Sequence, residues 1–286
     1  MRLSKAVVLG HTGFIGRALT RELELQGLAV SGYSSSDLDL TKREDLSRLD
    51  GRLDAATILV LASALTLDRA ADTVDTFSAN LAMAAHLSRY LEAHPVGLCV
   101  YLSSFTVYGD VPGARAIDEE TPASPVTLYA AAKYAGERLL AVSARKAAFP
   151  LLNLRLGRVY GPGVRRAVYG PAAFVRSIEE DGLVELFGDG EESRDHLYIE
   201  DAARLIARLA ADGRCGTYNV VSGESHSYLD VIAALKRVSP KPFRVVGRPR
   251  TRPTTRLARF DASKLMRDAP FKPTSLEQGL RRTFHG

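Results

Sequence analysis

Residues Lys5–Gly16 read KAVVLGHTGFIG. An apolar run stops at Gly10, two further glycines follow at positions 13 and 16, and the chain continues as an amphipathic pattern, GFIGRALTRELELQG. A strand of buried character that passes through small residues straight into a helix is the opening of a βαβ unit. Glycine at these positions lets the backbone turn tightly and lets a pyrophosphate approach the helix N-terminus, where unpaired N–H groups favour an anion. Gly10, Thr12, Gly13, Phe14, Ile15 and Gly16 are therefore the first candidate cofactor residues, and His11 reads as an ordinary loop residue. The spacing is G-x-x-G-x-x-G rather than G-x-G-x-x-G, so the glycines taken alone also fit a purely structural turn.

Outward from this unit, short apolar runs alternate with helical patterns. LAVSGY is a second strand and AATILVLA (Ala55–Ala62) a third, followed by a long helical pattern from about Asp72 to Ala93. GLCVYLSS is a fourth strand, then comes an alanine-rich helix around Tyr129, and PLLNLRLG is a fifth strand. Continuously apolar strands separated by helices imply an α/β fold, a doubly wound parallel sheet of Rossmann type covered on both faces. After Gly157 the rhythm loosens. A short strand, LVELFG, precedes a polar stretch, DGEESRD, which reads as a loop. The helix YIEDAARLIARLAADG and the strand TYNVV return to the main sheet. The expected organisation is an NAD(P)-binding domain over 1–157 plus about 198–221, with a smaller interleaved substrate-binding lobe over 158–197 and 222–286.

Composition narrows the function classes. The chain has 286 residues, enough for a large core, and its 46% hydrophobic and 25% charged fractions are those of a soluble protein. No apolar run is long enough to span a bilayer, and the N-terminus enters a strand without a signal-peptide core. Two cysteines, Cys99 and Cys215, make no disulfide framework, which points to a reducing cytoplasmic setting. No metal-ligand constellation stands out. The formal charge of +5 is concentrated late: Lys236 to Arg259 holds nine basic residues and no acidic one. Without a nucleic-acid module, that run reads as a solvated basic face or a pocket for an anionic small molecule, not a nucleic-acid surface.

The end of the second strand bears on the cofactor, because a carboxylate there favours a free ribose 2′-hydroxyl. Tyr33 is followed by Ser34, Ser35 and Ser36, with no carboxylate until Asp37. NADP is slightly favoured on this ground and NAD stays open. In SDLDL, Asp39 and Leu40 are candidates to line the adenine; Asp39 reads equally well as a turn or cap residue. Leu61 and Ala62 close the third strand on the same crevice.

The fourth strand ends in YLSSFTVYGD, and Tyr129 follows Ser104 by 25 residues, with Lys133 one helical turn later. Residues just beyond the carboxyl ends of the strands line the ligand crevice of such a sheet. A tyrosine is a poor base at neutral pH until a nearby ammonium stabilises its phenolate, and a serine hydroxyl can hold a substrate oxygen beside it. Together these residues can give or take a proton while a hydride moves.

The chain resembles the extended short-chain dehydrogenase/reductase family, in its nucleotide-sugar epimerase, dehydratase and reductase group. The resemblance spans nearly the whole sequence and rests on GHTGFIG, SSFTVYGD, YAAAK, RLGRVYGPG, FGDGEESRDHLYIEDAA, YNVVSGE and SLEQGLRRT, in that order. It implies Tyr129 as acid/base, Lys133 as its pKa-lowering and ribose-holding partner, and Ser104 as hydrogen-bond donor to the substrate. It further implies Asn80 on the cofactor side of the crevice, and Arg194 and Arg252 as clamps on a nucleotide-sugar diphosphate; each arginine also reads as a surface residue. Relatives usually carry R-x-x-N-x-Y-G-P, whereas this chain has Arg158 at the asparagine, a further phosphate or carboxylate contact or a narrowing of the sugar site.

The resemblance also separates reactions. Dehydratases of the group carry an Asp-Glu pair after the serine, and here those positions are Phe105 and Thr106, which cannot replace carboxylates. An epimerase acting through a transient 4-keto sugar is the leading expectation, with an NADPH-dependent 4-ketoreductase second. A non-catalytic NADP(H)-sensing protein is the reading from another class. Relatives often dimerise through the Asp72–Ala93 and Tyr129 helices, so a homodimer is expected.

Overall fold

The computed structural model describes residues 2–66, 71–111, 116–164, 169–249 and 259–285. In chain order the elements are β1 (Lys5–Leu9), α1 (Phe14–Leu25), β2 (Ala29–Tyr33), β3 (Thr57–Leu61), α2 (Val74–Ala93), β4 (Leu98–Ser104), α3 (Leu128–Ala147) and β5 (Leu151–Leu156). Then follow β6 (Arg158–Tyr160), α4 (Pro171–Asp181), β7 (Leu183–Phe187), β8 (Ser193–Tyr198), α5 (Ile199–Ala211), β9 (Gly216–Val220) and β10 (Ser225–Ser227). The last elements are α6 (Tyr228–Val238), β11 (Arg244–Arg248), α7 (Ser263–Asp268) and α8 (Leu276–His285). Two compact units divide the chain: Met1–Gly109, Pro122–Leu156 and Ala203–Val220 in the first, and Asp110–Thr121, Gly157–Ala202 and Val221–Gly286 in the second.

The first unit is built on one six-stranded sheet in the order β2-β1-β3-β4-β5-β9. Every pairing in it is parallel. The chain moves from β1 outward to β2, then returns to place β3 on the other flank of β1. That reversal is a topological switch point, and it opens a crevice at the carboxyl ends of β1 and β3. β3 and β4 are buried along their whole lengths, as their uninterrupted apolar sequences require. β2 is an edge strand and correspondingly exposed. On one side of the sheet Leu59, Cys99 and Tyr101 pack with Leu87, Leu91 and Leu140 from α2 and α3. These two long helices lie against each other, joined by a buried hydrogen bond between the hydroxyls of Ser88 and Ser143 at 2.7 Å.

In the second unit β8 is the centre of a three-stranded sheet, antiparallel to β10 and parallel to β6. The polar stretch DGEESRD is thus not wholly a loop: its last three residues enter β8, which is buried throughout. Its polar groups find partners inside the unit, which is why polarity misled there. The Asp195 carboxylate accepts the backbone N–H groups of Ser222 and Gly223, both at 2.8 Å. Part of the basic run forms β11, parallel to β7, where Arg248 pairs with Glu185 on an exposed face. Among the described residues, no helix is long and apolar enough to cross a membrane.

Candidate active site

The glycine turn has the shape its sequence implies. Gly10 has φ +93°, and its N–H donates to Tyr33 O at 2.7 Å. A Cβ on Gly10 would lie 2.8 Å from Ser63 Oγ, and one on Gly16 would lie 2.1 Å from Gly10 O. A Cβ on Gly13 would meet only Gly10 O, at 3.1 Å. Gly10 and Gly16 therefore serve the close packing of β1, α1 and the segment after β3, while Gly13 leaves the mouth of the turn clear. α1 starts here with no side-chain cap and no acidic residue in its first turn, whereas α2, α3 and α6 are capped by Thr73, Thr127 and Ser227. The N–H groups of Phe14, Ile15 and Gly16 belong to a first turn that offers them no intrahelical acceptor. This cradle fits the pyrophosphate of a dinucleotide.

Beside it, the end of β2 carries a charge that the serine run hides. Asp37 folds back so that Oδ2 accepts from Ser34 N at 2.8 Å and Ser34 Oγ at 2.6 Å. These bonds hold the Asp37 carboxyl below its ordinary pKa. Asp39 closes a turn, its Oδ1 taking the N–H and hydroxyl of Thr41 at 3.0 and 2.7 Å. Leu40 and Leu61 are buried, and Ala62 N donates to Leu9 O at 2.9 Å. Asn80 binds both backbone groups of Leu65, its Oδ1 to the N–H at 2.8 Å and its Nδ2 to the carbonyl at 2.9 Å. Its amide thus pins the segment that follows β3.

Ser104, Tyr129 and Lys133 all lie in the first unit. Ser104 ends β4 and caps a 3-10 turn, Phe105–Tyr108. Its Oγ shares a hydrogen bond with Thr106 Oγ1 at 2.8 Å and accepts Thr106 N–H at 3.2 Å, so Thr106 sets the orientation of the serine. Tyr129 sits in the first turn of α3. The Asp72 carboxylate accepts the backbone N–H groups of Leu128 and Tyr129 at 3.2 and 2.9 Å, and Thr127 caps Ala130 N–H at 3.1 Å. Tyr101 of β4 ties the two elements together. Its hydroxyl donates to Lys133 O at 3.3 Å, and the Lys133 ammonium lies over its ring, 4.4 Å from the centroid. Burial pushes the Tyr101 phenol well above its ordinary pKa, and the nearby Tyr129 and Glu137 push the same way. Lys133 is only 4% exposed, and desolvation lowers its pKa to about 7, against an opposing pull from Glu137. Its burial and displaced pKa make Lys133 a candidate functional group.

The second unit holds Arg158 and Arg194. Arg158 stands in β6, in register with His196 of β8, and Arg194 stands opposite His226 of β10. Arg194 is buried, donates to Ser193 O at 2.8 Å and pairs with Glu192; desolvation lowers its pKa. It occupies a strand, not the loop expected from its polar neighbours. His196 is buried, and desolvation together with Arg158, His226 and Arg194 lowers its pKa to about 3, so it is neutral at physiological pH. Arg252 lies outside the described residues. The sequence reading named Asp37 without assigning it a role and did not anticipate Asp72 or Tyr101. Asp37 carried a signal in its nearness to the second strand, but the other two are brought in by long-range packing.

The family profile described as "NAD dependent epimerase/dehydratase family" matches residues 6–221. This chain belongs to that family. It is an NAD(P)-dependent nucleotide-sugar enzyme of the extended short-chain dehydrogenase/reductase type, within the epimerase, dehydratase and reductase group. Along 98% of its length the chain is 26% identical to a dTDP-glucose 4,6-dehydratase of Neisseria meningitidis, covering 92% of that protein. The UDP-glucose 4-epimerase of Thermus thermophilus, solved in complex with NAD, superposes with a TM-score of 0.87 at 26% identity, with 98% of each chain covered. RMD from Pseudomonas aeruginosa, complexed with NADPH, superposes with a TM-score of 0.86 at 26% identity, over 99% of this chain and 98% of its own. Family members thus bind either NAD or NADPH at this fold, and these relatives carry different activities.

Proposed function

We propose that this family member is a nucleotide-sugar epimerase that works through a transient 4-keto sugar. The observation that carries this reading is the make-up of the turn after Ser104. Phe105 brings no acid, and the Thr106 hydroxyl is spent on orienting Ser104. The turn after Ser104 therefore carries no carboxylate pair of the kind that loss of water from the sugar would need, which leaves the proton handling to Tyr129 with Lys133. The Ser104 hydroxyl holds the sugar oxygen at carbon 4. Tyr129, as phenolate, takes the proton from that oxygen and later returns it, and the Lys133 ammonium stabilises the phenolate meanwhile. The nicotinamide, when bound, supplies the hydride chemistry at carbon 4. Phe14, Ile15 and Gly16 would hold its pyrophosphate.

The Asp37 carboxylate at the end of β2 supports NAD, since an acidic group there favours a free 2′-hydroxyl and repels a 2′-phosphate. It outweighs the slight preference for NADP that the serines alone give. Arg158 and Arg194, with Arg252, are proposed to meet the charged part of the nucleotide sugar, as guanidinium groups pair well with phosphate oxygens. A homodimer through α2 and α3 and a reducing cytoplasmic setting complete the reading. The likeness to the NADPH-bound RMD structure supports a second reading, a 4-ketoreductase using the same three residues.

The test uses UDP-, dTDP-, GDP- and CDP-hexoses with NAD and NADPH. An epimerase converts one hexose with no net change in absorbance at 340 nm and copurifies with or prefers NAD. Stoichiometric loss of NADPH on a 4-keto substrate would replace this reading with the reductase. Tyr129→Phe should lower kcat by about 100-fold or more, the usual scale of general acid/base contributions. Unchanged turnover in that variant would remove Tyr129 from the chemistry.

A further inference from the structure

A second set of buried polar groups lies directly behind the candidate catalytic trio. Glu137 follows Lys133 by one turn on α3, and its carboxylate is only 4% exposed as part of that residue. Its Oε1 accepts from Ser103 Oγ at 2.5 Å and from Arg155 Nε at 3.1 Å, and its Oε2 accepts from Arg155 Nη2 at 2.8 Å. Arg155 Nη1 donates to the Tyr108 hydroxyl at 3.0 Å, and that hydroxyl donates to Asn219 Oδ1 at 2.7 Å. Five elements meet in this chain of bonds: α3, β4, β5, β9 and the 3-10 turn. All the groups are buried, and the Arg155 guanidinium also lies over the Tyr108 ring, 4.8 Å from its centroid.

Such a network is expensive to bury unless its members satisfy one another. Its placement relative to Ser104 is informative. Ser103 immediately precedes that serine and is anchored to Glu137. Tyr108 ends the turn that Ser104 caps and is anchored to Arg155 and Asn219. Ser104 therefore lies between two residues, Ser103 and Tyr108, that are both anchored in this network. The charges also complement each other. With Lys133 protonated, Lys133, Glu137 and Arg155 sum to one positive charge in a buried region, which a phenolate at Tyr129 would neutralise.

We propose that Glu137 is a positioning residue for the Ser104–Tyr129–Lys133 site, locking Ser104 through Ser103 and the Arg155–Tyr108 bridge and supplying the counter-charge that keeps the Lys133 ammonium in the protein interior. This inference rests on the catalytic reading of Tyr129 given above. Glu137 lies one helical turn after Lys133 on the same buried face of α3, and its charge opposes the desolvation of Lys133, as does the Tyr101 ring beneath the ammonium. The groups around Lys133 are Tyr101 from β4, whose ring lies under the ammonium, Tyr129 and Glu137, one turn before and one turn after it on α3, and Arg155 of β5 through its pairing with Glu137. Removing the Glu137 charge should therefore make Lys133 release its proton at lower pH.

The experiment follows the Lys133 side chain by NMR in protein labelled at lysine Cε, with Lys133→Met giving the assignment. In E137Q the Lys133 titration midpoint should fall by about one pH unit or more. The pH profile of kcat should shift the same way while KM changes little. E137Q leaves Arg155 without its carboxylate, so the E137Q/R155Q pair, in which two amides replace the ion pair, guards against misfolding; it should still shift downward, by less than E137Q, because the Arg155 charge is lost as well. A merely structural role would alter stability but not the midpoint. If Lys133 titrates unchanged in folded E137Q or in the pair, the inference is wrong. If Tyr129→Phe keeps full turnover, the catalytic reading fails instead. Loss of turnover in Tyr129→Phe together with an unmoved Lys133 midpoint sinks only the role of Glu137.

Discussion

Lys133 concentrates the conflict between stability and chemistry into one side chain. Its pKa in the folded protein, about 7, lies below the ordinary value of 10.5. Between those pH values the unfolded chain binds more protons than the folded one, so stability rises as pH rises through that window. Below about pH 7 the full cost of burying the ammonium is present. Lys133→Met removes this cost, and the variant should be more stable at pH 7 by about 3 kcal/mol, given about 1.4 kcal/mol per pKa unit and some relaxation of the site. It should also lose turnover. Urea denaturation at pH 7, 8, 9 and 10 is the check: the wild-type protein gains stability across the series and the variant stays nearly level. Parallel curves for the two proteins would show that burial does not lower the Lys133 pKa in the folded protein. A site that spends stability in this way is selected for something other than folding, which agrees with a proton-handling role.

At the scale of elements, α3 is held against β4 by a missing side chain. A Cβ on Gly136 would lie 2.3 Å from the Tyr101 hydroxyl and 3.2 Å from Ala84 Cβ. Glycine in a helix interior costs about 1 kcal/mol relative to alanine, so propensity alone favours the substitution. Overpacking costs about 1 to 3 kcal/mol and should win. Gly136→Ala is expected to lower stability by about 1 kcal/mol and to weaken activity, because Tyr101 can no longer lie under Lys133. Adding Tyr101→Phe removes the atom nearest the new methyl group, and thermal melts of the double variant should recover part of the loss. Purely additive effects would mean that the two residues do not compete for this space. The same comparison explains what the sequence could disclose. The βαβ rhythm, the glycine turn and the helical pairing of Tyr129 with Lys133 are local patterns, and they were legible. The role of Gly136 was not, because it depends on a tyrosine 35 residues earlier. Nor was the Glu137 network, whose partners run from Ser103 to Asn219. β8 was misread for a related reason: its polar residues are satisfied by segments distant in sequence, so polarity did not mean exposure.

For the molecule as a whole, the open question of assembly falls on α2 and α3. These helices pack against each other and against the sheet, and yet part of their apolar surface is not consumed. Leu81 and Ala85 follow one another on α2 at helical spacing and are only half-buried. On α3, Leu139 is half-buried and Val142, three residues later, is 51% exposed. Residues three and four apart share a helix face, so each helix carries a short apolar stripe. Two antiparallel copies of such a pair can bury the stripes by two-fold symmetry, the commonest closure for a homo-oligomer. Light scattering on the wild-type protein at micromolar concentration should give twice the 31.0 kDa chain mass. Leu139→Glu with Val142→Glu places two carboxylates on that surface and should give a monomer, because unpaired charges at the centre of an interface cost several kcal/mol. A wild-type monomer, or a variant that remains dimeric, would remove α2 and α3 from the assembly. The result also bears on catalysis, since α3 presents Tyr129 and Lys133 from the same rod. Held in a dimer, that rod would be restrained along its outer face as well as by Asp72 at its start and Tyr101 beneath it. The monomeric variant should then bind cofactor with similar affinity but unfold at lower temperature.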